Sequence, residues 1–381
     1  MSQGRTVGIV GAGQLARMMA QAAIPLEIRL VLLAASEKDG AAKVVPDVLI
    51  GSPDDPAKVR ELAEQVDVLT FDHELVDPEF LAQLESEGVS VWPSAATMAL
   101  AQNKRRQRAE LGEIGLPIPA WAEVESAADV IAFAEEHGWP VVLKASRGGY
   151  DGRGVWTIDR PEDVEGIVTE AKDAGLTLLV EERVQLDLEL AVLTARRPNG
   201  DIAIWEPVET VQRDGMCNEL VVPVKADPRI VAEAVHLARK IVEHVQPVGV
   251  LAIEFFVSNG KVLVNELAPR PHNSGHWTIE GSQTSQFEQH LRAILNLPLG
   301  DTSLTSPVIA TENILGPASG ANPSDEIGVA MQIRGANIHL YGKEARPGRK
   351  LGHVTVLGNE RDETRQRASL AVQQLTGESK L

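Results

Sequence analysis

Two glutamates in consecutive β-rich segments have the residue type and spacing that point most directly to chemistry. Glu254 lies inside the apolar run 251–257, and Glu266 ends the next run directly after Asn265. A carboxylate among apolar strand residues is costly unless it is paired or metal-bound. Either glutamate alone could be salt-bridged in a strand. Two of them beside an asparagine suit a Mg²⁺ ion, or Mn²⁺ as an alternative, that bridges phosphate oxygens.

The turn between these two segments decides whether they can share an ion. Asn259-Gly260 between apolar runs predicts a two-residue hairpin turn. Opposed residues in a regular antiparallel hairpin have a constant index sum, so Glu254 would face Asn265, and Glu266 would point to the other face. A shared ion therefore predicts a bulge or an odd-length loop in this hairpin.

A glycine-rich loop, residues 145–154, connects two further β-rich runs. Lys144 ends the first run, and Arg147 and Arg153 lie within the loop. Its amides and cations could fold over polyphosphate, whereas the alternative is a mobile surface hairpin. A lysine at the strand end and two arginines in the loop favour a nucleotide lid.

The segment after Glu266 combines anion-binding side chains with prolines. Arg270 offers a planar fork for a carboxylate-shaped anion, and His272 and Asn273 add hydrogen-bond donors. A lone histidine is more commonly structural than catalytic. The position of this segment directly after a candidate metal ligand favours a functional site.

The glycine turn near the N-terminus has more than one interpretation. Gly11-x-Gly13-x-x-Ala16 follows a β-rich run and precedes a helical pattern, as in dinucleotide-binding proteins. The second strand, however, lacks an acidic residue at its tip, which disfavours NAD. Binding of another phosphate group and simple packing of the helix both remain open.

Two basic clusters are ambiguous on their own. The sequence predicts a glycine turn with three cations, Arg346, Arg349 and Lys350, for which a solvated loop is the commoner outcome. Lys104 and Arg108, four residues apart on a predicted helix, are interpreted in the same way as a solvated face.

Composition limits the classes of partner. The 381 residues carry 36 Lys+Arg against 54 Asp+Glu, a formal charge of −18, so nucleic acid and anionic membrane are not expected partners. The single cysteine, Cys217, fits a reducing, cytoplasmic compartment. Binding of small anions then predicts that a minority of the cations converges on one cleft between domains; these are Lys104, Lys144, Arg153, Arg270, Arg349 and Lys350.

The pattern of elements predicts an α/β protein. β-rich runs, including 6–10 and 89–92, alternate with helical stretches up to about residue 100, which predicts a parallel, doubly wound sheet. Longer β-rich runs with hairpin signals follow. We predict an N-terminal domain over 1–103, a central domain over 104–300 with a lid at about 120–188, and a C-terminal segment over 301–381.

Three stretches in one order, 148–154, 265–277 and 346–350, resemble the ATP-grasp superfamily and, within it, the N5-carboxyaminoimidazole ribonucleotide synthetases of purine biosynthesis. The resemblance runs from Gly8 to about Gly352. It implies an ATP-grasp fold: an N-terminal doubly wound parallel sheet, a lid and body, and a small C-terminal domain.

The resemblance also implies an activity. A member of this family is a cytoplasmic, commonly dimeric ligase that uses ATP and bicarbonate to carboxylate aminoimidazole ribonucleotide through carboxyphosphate. Other ATP-grasp ligases, an NAD-dependent oxidoreductase and a nucleotide-binding regulatory module are the alternatives. The Tyr150-Asp151 loop and the Arg270–Trp277 stretch disfavour other ATP-grasp ligases. The oxidoreductase is supported by the glycine turn alone, and Glu254 and Glu266 argue against a regulatory module.

Residue roles implied by the resemblance fall into four groups. The nucleotide would contact Lys104, Lys144, Gly149, Gly152, Gly154, Glu181, Glu182, Arg183, Val184, Glu189, Gln212 and Asn265, although relatives often have histidine in place of Gln212. The metal would bind Glu254 and Glu266. The reacting groups would contact Tyr150, Asp151, Arg153, Arg270, His272, Asn273 and Lys350. The ribonucleotide phosphate would contact Gly13, Gln14, Leu15, Arg346, Arg349 and Lys350. Asp72-His73-Glu74-Leu75 departs from the Glu-x-Glu-Asn that is frequent in relatives.

Overall fold

The computed structural model describes residues 5–148, 154–213 and 216–378. The N-terminal part builds a parallel sheet in the order β3-β2-β1-β4, with helices between the strands. Aspartates cap two of these helices ahead of a proline in the first turn, Asp55 before Pro56 and Asp77 before Pro78. The elements are β1 (Thr6–Val10), α1 (Gln14–Ala23), β2 (Arg29–Ala34), β3 (Asp47–Ile50), α2 (Pro56–Ala63), β4 (Val68–Phe71), α3 (Pro78–Ser86), α4 (Ala95–Gln102) and α5 (Lys104–Glu113).

The predicted parallel, doubly wound sheet is confirmed, with one correction. The strand expected at 89–92 is only an isolated bridge between Val91 and Leu69. Proline at position 93 and the Ser94 cap of α4 end the extended segment there. The β-rich composition therefore predicted a longer pairing than the chain makes.

A second, smaller sheet has the antiparallel order β5-β8-β6-β7 and carries the glycine-rich loop between β6 and β7. Its elements are β5 (Trp121–Val124), α6 (Ala127–His137), β6 (Val141–Ala145), β7 (Val155–Ile158), α7 (Val164–Asp173) and β8 (Leu178–Glu182). Helices α6 and α7 supply the apolar side chains, such as Phe133 and Val168, that cover one face of it.

The largest sheet is antiparallel and runs in the order β14-β13-β9-β11-β12-β15-β17-β16, with β10 paired to β9. Strands from the predicted C-terminal segment therefore join the same sheet as those of the central domain. The elements are β9 (Leu188–Arg196), β10 (Ile202–Ile204), β11 (Val208–Arg213), β12 (Met216–Val222), α8 (Pro228–Val245), β13 (Gly249–Ser258), β14 (Lys261–Ala268), α9 (Thr278–Gly281), α10 (Gln286–Ile294), β15 (Val308–Leu315), α11 (Ile327–Ala330), β16 (Ala336–Leu340), β17 (Lys350–Gly358) and α12 (Arg361–Thr376).

The N-terminal sheet and the largest sheet share an apolar core. Phe287, Leu291 and Ile294 of α10 belong to the same buried cluster as Ile9 and Met19 of the N-terminal part. The joined sheets position the candidate site residues described below. In the described ranges, no helix combines the length and the hydropathy that crossing a bilayer requires.

Candidate active site

The β13–β14 hairpin brings the two predicted metal ligands together. Asn259 and Gly260 adopt positive φ values of 50° and 71° in the two-residue turn, and Ser258 pairs with Lys261. The ladder then shifts between Glu254 and Phe255, so Glu254 faces Glu266. The bulge that a shared ion requires is therefore present.

The two carboxylates are electrostatically unlike. The Lys104 Nζ atom lies 2.9 Å from Glu266 Oε1. Burial would raise the pKa of Glu266, but Lys104, together with the charges of Lys144 and Arg108, lowers it. Burial, followed by the charges of Glu266 and Glu189, raises the pKa of Glu254 to about 8, although Lys104 and Lys350 oppose the shift. Ionising both carboxyl groups would therefore place more negative charge here than the neighbouring cations neutralise, and a divalent cation would stabilise that doubly ionised state.

A third carboxylate, Glu181 of β8, is neutralised within the protein. Lys144 Nζ lies 2.7 Å from its Oε2 atom, and Arg108 Nε lies 2.8 Å from its Oε1 atom. Burial would raise the pKa of Glu181, but the two cations lower it to about 2. Both Arg108 and Glu181 have only 2% of their side chains exposed. The interpretation of Lys104 and Arg108 as a solvated face was wrong, because α5 packs between the two carboxylate clusters.

Helix α5 also meets the base of the glycine-rich loop. The Lys104 N–H donates to the Ser146 carbonyl at 2.8 Å, and the Ala145 N–H donates to the Gly154 carbonyl at 2.8 Å, which closes the loop at its base. Lys104 and Lys144 therefore flank the start of the loop. The predicted lid contacts Gly149, Tyr150, Asp151, Gly152 and Arg153 lie outside the described residues.

The expected adenine and ribose contacts lie along β8, β9 and β11. The carboxylate of Glu181 is already held by two cations, so a nucleotide contact from this residue would come from its backbone. Glu182 accepts a bond from the Ala120 N–H at 2.9 Å. Arg183 is exposed and Val184 is half-buried. Burial raises the pKa of Glu189, and the opposing hydrogen bond comes from Gln212.

The segment after β14 is held in place by Gln286 of α10. The side-chain oxygen of Gln286 accepts from the His272 N–H at 2.9 Å, and its Nε2 donates to the His272 carbonyl at 2.7 Å. Asn273 starts a short 3-10 helix immediately after these bonds. A glutamine in an amphipathic helix carries no sequence signal for this role.

His272 is a neutral donor aimed at the metal ligands. Its Nδ1 accepts from the Ser274 N–H at 3.3 Å, which leaves the proton on Nε2, 3.9 Å from Glu254 Oε1. Burial and then the charges of Arg270 and Lys350 lower the pKa of His272 to about 3. The ring is therefore uncharged at neutral pH and has an Nε2 proton that a bound anion could accept.

Arg270 is oriented by a residue that sequence reasoning left without a role. Its Nε lies 2.8 Å from Glu74 Oε1, and its Nη1 donates to the Pro271 carbonyl at 3.0 Å. Glu74 follows β4, so this ion pair joins the N-terminal domain to the segment that carries His272. The sequence Asp72-His73-Glu74-Leu75 differs from the Glu-x-Glu-Asn pattern of relatives, but it keeps the second glutamate, Glu74, which makes this contact.

The glycine turn after β1 binds an internal anion. Asp72 Oδ2 accepts from the Gly13 N–H at 2.5 Å, and a Cβ added at Gly11 would lie 1.8 Å from Asp72 Oδ1. Burial raises the pKa of Asp72, partly offset by His73, by the Gly13 hydrogen bond, and by Arg270 and Lys343. Since a protein carboxylate lies where a pyrophosphate would approach the turn, the geometry argues against the dinucleotide interpretation.

Gln14 faces the cleft, but Leu15 does not. The Leu15 side chain is 4% exposed within the apolar core, so it can offer only its backbone to a ligand. Gln14 Oε1 accepts from Lys343 Nζ at 2.6 Å. Lys343 was absent from the predicted site, because an isolated lysine between β16 and β17 gives no motif.

The predicted cationic turn near residue 348 divides into two parts. Arg346 and Arg349 lie in an exposed loop, where Arg346 Nη2 pairs with Glu344 Oε2 at 2.7 Å. Lys350 instead begins β17 and is 9% exposed, and its charge acts on Glu254 and His272. The expectation of a solvated turn was therefore wrong for Lys350.

Four of the six cations expected in one cleft act on the same carboxylate and histidine neighbourhood. Lys104, Lys144, Arg270 and Lys350 each shift the pKa of Glu254, Glu266 or His272. Arg349 is exposed in its loop, and Arg153 lies outside the described residues. The arrangement can neutralise transferring phosphate, hold a small anion beside a neutral histidine and keep these groups close to the glycine turn.

Comparison with protein families matches three consecutive domains. A ribonucleotide synthetase preATP-grasp domain covers residues 4–102, an ATP-grasp domain covers 109–287, and a phosphoribosylaminoimidazole carboxylase C-terminal domain covers 310–367. These matched ranges follow the N-terminal sheet, the smaller sheet with part of the largest one, and the last strands of the largest sheet.

Individual relatives agree with these matches. The N5-carboxyaminoimidazole ribonucleotide synthase of Mycobacterium tuberculosis is 46% identical over 377 residues, covering 97% of this chain and 87% of its own length. A crystal structure of the Aspergillus clavatus synthase with ATP has 33% identity and a TM-score of 0.89 over 98% of both chains. The same synthase with ADP and 5-aminoimidazole ribonucleotide gives 32% identity and a TM-score of 0.87, covering 98% of this chain and 99% of that one.

Proposed function

The chain belongs to the N5-carboxyaminoimidazole ribonucleotide synthases, ATP-grasp ligases of purine biosynthesis, and from that membership we propose that it carboxylates 5-aminoimidazole ribonucleotide with bicarbonate and ATP. The products are N5-carboxyaminoimidazole ribonucleotide, ADP and phosphate. The observation that carries this proposal is the bulged hairpin that opposes Glu254 and Glu266 beside Lys104, directly before the Arg270–Asn273 segment.

Bicarbonate must first become an electrophile. A bicarbonate oxygen attacks the γ-phosphorus, ADP leaves, and carboxyphosphate forms; positioning and charge neutralisation lower this barrier, with no protein nucleophile required. Lys104 and Lys144 would hold the phosphates. Glu254 and Glu266, with Asn265 beside them, would hold Mg²⁺, which neutralises developing phosphate charge when bound.

The Arg270–Asn273 segment would hold the bicarbonate. Glu74 fixes the guanidinium of Arg270, and the neutral His272 offers an Nε2 proton to an anion. The exocyclic amine of the ribonucleotide then attacks the carboxyl carbon, phosphate leaves, and the nitrogen loses a proton. The Gly149–Gly154 loop, with Tyr150 and Asp151, would close over these groups and exclude water.

The N-terminal domain and the loop before β17 would hold the ribonucleotide phosphate. The Gly13 N–H already donates to Asp72, so the role implied for Gly13 is not carried over. Gln14, Arg346, Arg349 and Lys350 keep the roles that the resemblance implies, and Leu15 contributes through its backbone. Lys343 joins them because its ammonium contacts Gln14. We further propose a cytoplasmic homodimer, which light scattering on the purified protein would test.

One assay tests the reaction. ADP release is measured with ATP and Mg²⁺ while aminoimidazole ribonucleotide and bicarbonate are each omitted in turn. We expect both omissions to lower the rate and the complete mixture to yield the carboxylated product. An ADP-release rate that is independent of both substrates would contradict the assignment.

A further inference from the structure

A buried histidine joins the N-terminal sheet to the largest sheet. His290 of α10 lies with Nε2 2.9 Å from the Thr70 hydroxyl of β4, while its Nδ1 accepts from the Val250 N–H of β13 at 3.1 Å. Thr70 and His290 are both 0% exposed. One imidazole therefore bonds to strands of two different sheets.

The backbone determines which nitrogen carries the proton. The Val250 N–H can only donate, so Nδ1 must be the acceptor, and the single proton of a neutral ring lies on Nε2. The ring then donates to the Thr70 oxygen. Gly249 permits this arrangement because a Cβ there, at φ +101°, would lie 2.8 Å from His290 Cε1.

The surrounding contacts between the two sheets are apolar. Phe287, Leu291 and Ile294 flank His290 on α10 and pack into the cluster that includes Ile9 and Met19. Apolar burial holds surfaces together but is not directional, so it fixes the position of a strand along its axis weakly. Hydrogen bonds have preferred distances and angles and do fix it.

Thr70 lies close to the residues that face the cleft. Two residues later, Asp72 binds the Gly13 N–H, and four residues later, Glu74 pairs with Arg270. A shift of β4 along the sheet would move both carboxylates. It would also move the glycine turn away from the segment after β14.

We propose that His290 and Thr70 are positioning residues, which set the N-terminal domain against the ATP-grasp body at the distance that ribonucleotide binding requires. This inference rests on the proposed function. The two residues touch neither substrate. Their effect passes through β4 to Asp72 and Glu74, whereas the ATP contacts on β6, β8 and α5 do not depend on them.

A threonine pair provides matched variants. Thr70→Val keeps the side-chain shape and removes the oxygen that accepts from His290. Thr194→Val is the control, because Thr194 is equally buried and its hydroxyl donates to the Leu251 carbonyl at 3.0 Å within the largest sheet. Thr70→Ser restores the hydroxyl.

Steady-state kinetics distinguish a positioning role of Thr70 from a general loss of stability. We expect Thr70→Val to raise the KM for aminoimidazole ribonucleotide about three- to tenfold, the loss expected for one hydrogen bond, with the KM for ATP within about twofold of wild type. Thr194→Val should leave both KM values near wild type, and Thr70→Ser should recover most of the loss. Equal shifts in the two valine variants, or a parallel rise in the KM for ATP, would overturn the proposal.

A measurement on the wild-type protein covers the case in which Thr70→Val does not fold or the reaction is misassigned. In protein labelled with ¹⁵N-histidine, the His290 ring signal is assigned as the one that disappears in the His290→Gln variant. We expect that signal to show the Nε2–H tautomer at pH 7.5. An Nδ1–H ring would refute the bridge on its own. An error in the proposed reaction would instead appear in the wild-type protein, as a rate of ADP release that does not change when the ribonucleotide is added.

Discussion

Glu181 and Glu254 are carboxylates of one ATP-grasp domain with opposite electrostatic surroundings. Glu181 lies between Lys144 and Arg108, and its pKa falls to about 2. Glu254 faces Glu266, with Glu189 also acting on it, and its pKa rises to about 8. Burial acts in the same direction on both, so the neighbouring charges account for the difference.

Glu181 therefore has a structural role in an internal ion pair, whereas the surroundings of Glu254 favour a bound cation. Glu181 has its countercharge within the chain and ties α5 to the smaller sheet. Among the described residues, Lys104 bonds to Glu266 and not to Glu254, and the basic side chain beside Glu254 is the neutral His272, at 3.9 Å. A divalent cation between the two glutamates would supply the missing charge.

The strongest test of this contrast is Glu254→Gln. We expect kcat for ribonucleotide-dependent ADP release to fall about 10²- to 10³-fold, because a phosphate-bridging cation loses one of its two charged ligands. Glu206→Gln is the control, since Glu206 also has a pKa raised by burial but lies in the segment between β10 and β11, outside the candidate site. Near-normal activity in Glu254→Gln would remove this residue from the metal site.

Arg108→Met tests the structural ion pair of Glu181. Removing one cation leaves Glu181 partly uncompensated in a buried site, so the free energy of unfolding should fall by about 3 kcal/mol in urea titrations. A triple variant, Arg108→Met/Lys144→Met/Glu181→Leu, which leaves none of the three buried charges unpaired, should recover much of that loss. An unchanged urea midpoint in Arg108→Met would mean that this ion pair contributes little to folding.

The free energy of unfolding should change with pH in opposite directions for the two carboxylates. The folded-state pKa of Glu254 lies above its usual 4.5, so its contribution is full below about pH 4.5 and is lost as pH rises towards 8. Glu181 contributes above about pH 4.5 and loses its contribution as pH falls towards 2. In chelator-treated protein, Glu254→Gln should flatten the fall in urea midpoint between pH 5 and 8; an unchanged slope would contradict this assignment.

The smallest expected effect is that of Asn265→Ala. Asn265 is the extra residue of the bulge, and its amide is a neutral ligand at most, so the Mg²⁺ concentration for half-maximal activity should rise only about two- to tenfold. Asn259→Gly, in the hairpin turn, serves as the control. A loss as large as that of Glu254→Gln would show that the amide, and not only the charge, is essential.

The sequence allowed the hairpin to be predicted in detail because the rule that governs it is local. A constant index sum and a positive-φ turn required a bulge if Glu254 and Glu266 were to meet. The parallel N-terminal sheet was likewise predictable from alternating strands and helices. The two hairpin strands are consecutive in sequence, and so are the paired strands of the N-terminal sheet except β1 and β4.

Other features depend on contacts that no local pattern reveals. Arg108 looked solvated because its helix carries four cations in five positions, yet it is buried against Glu181, 73 residues away. Glu74, Gln286, His290 and Lys343 each act through a partner distant in sequence. Spacing alone could not identify them. Nor could it show that the Leu15 side chain is buried, which leaves only the backbone of this residue for the predicted contact.

The bulge opposite Glu254 also determines which changes in chain length the hairpin can absorb. Removing Asn265 would leave an evenly paired ladder in which Glu254 still faces the residue now numbered 266, because the pairing from Ser258 and Lys261 continues without a step. Adding a residue to the β14 arm would require a second bulge or would rotate Glu266 to the opposite face. Adding one beside Ser258, beyond the last pair that β13 makes with β9, would instead equalise the two arms and remove the bulge. Length variation at this hairpin should therefore be asymmetric between the arms, with single deletions retained in β14 and single insertions retained only in β13.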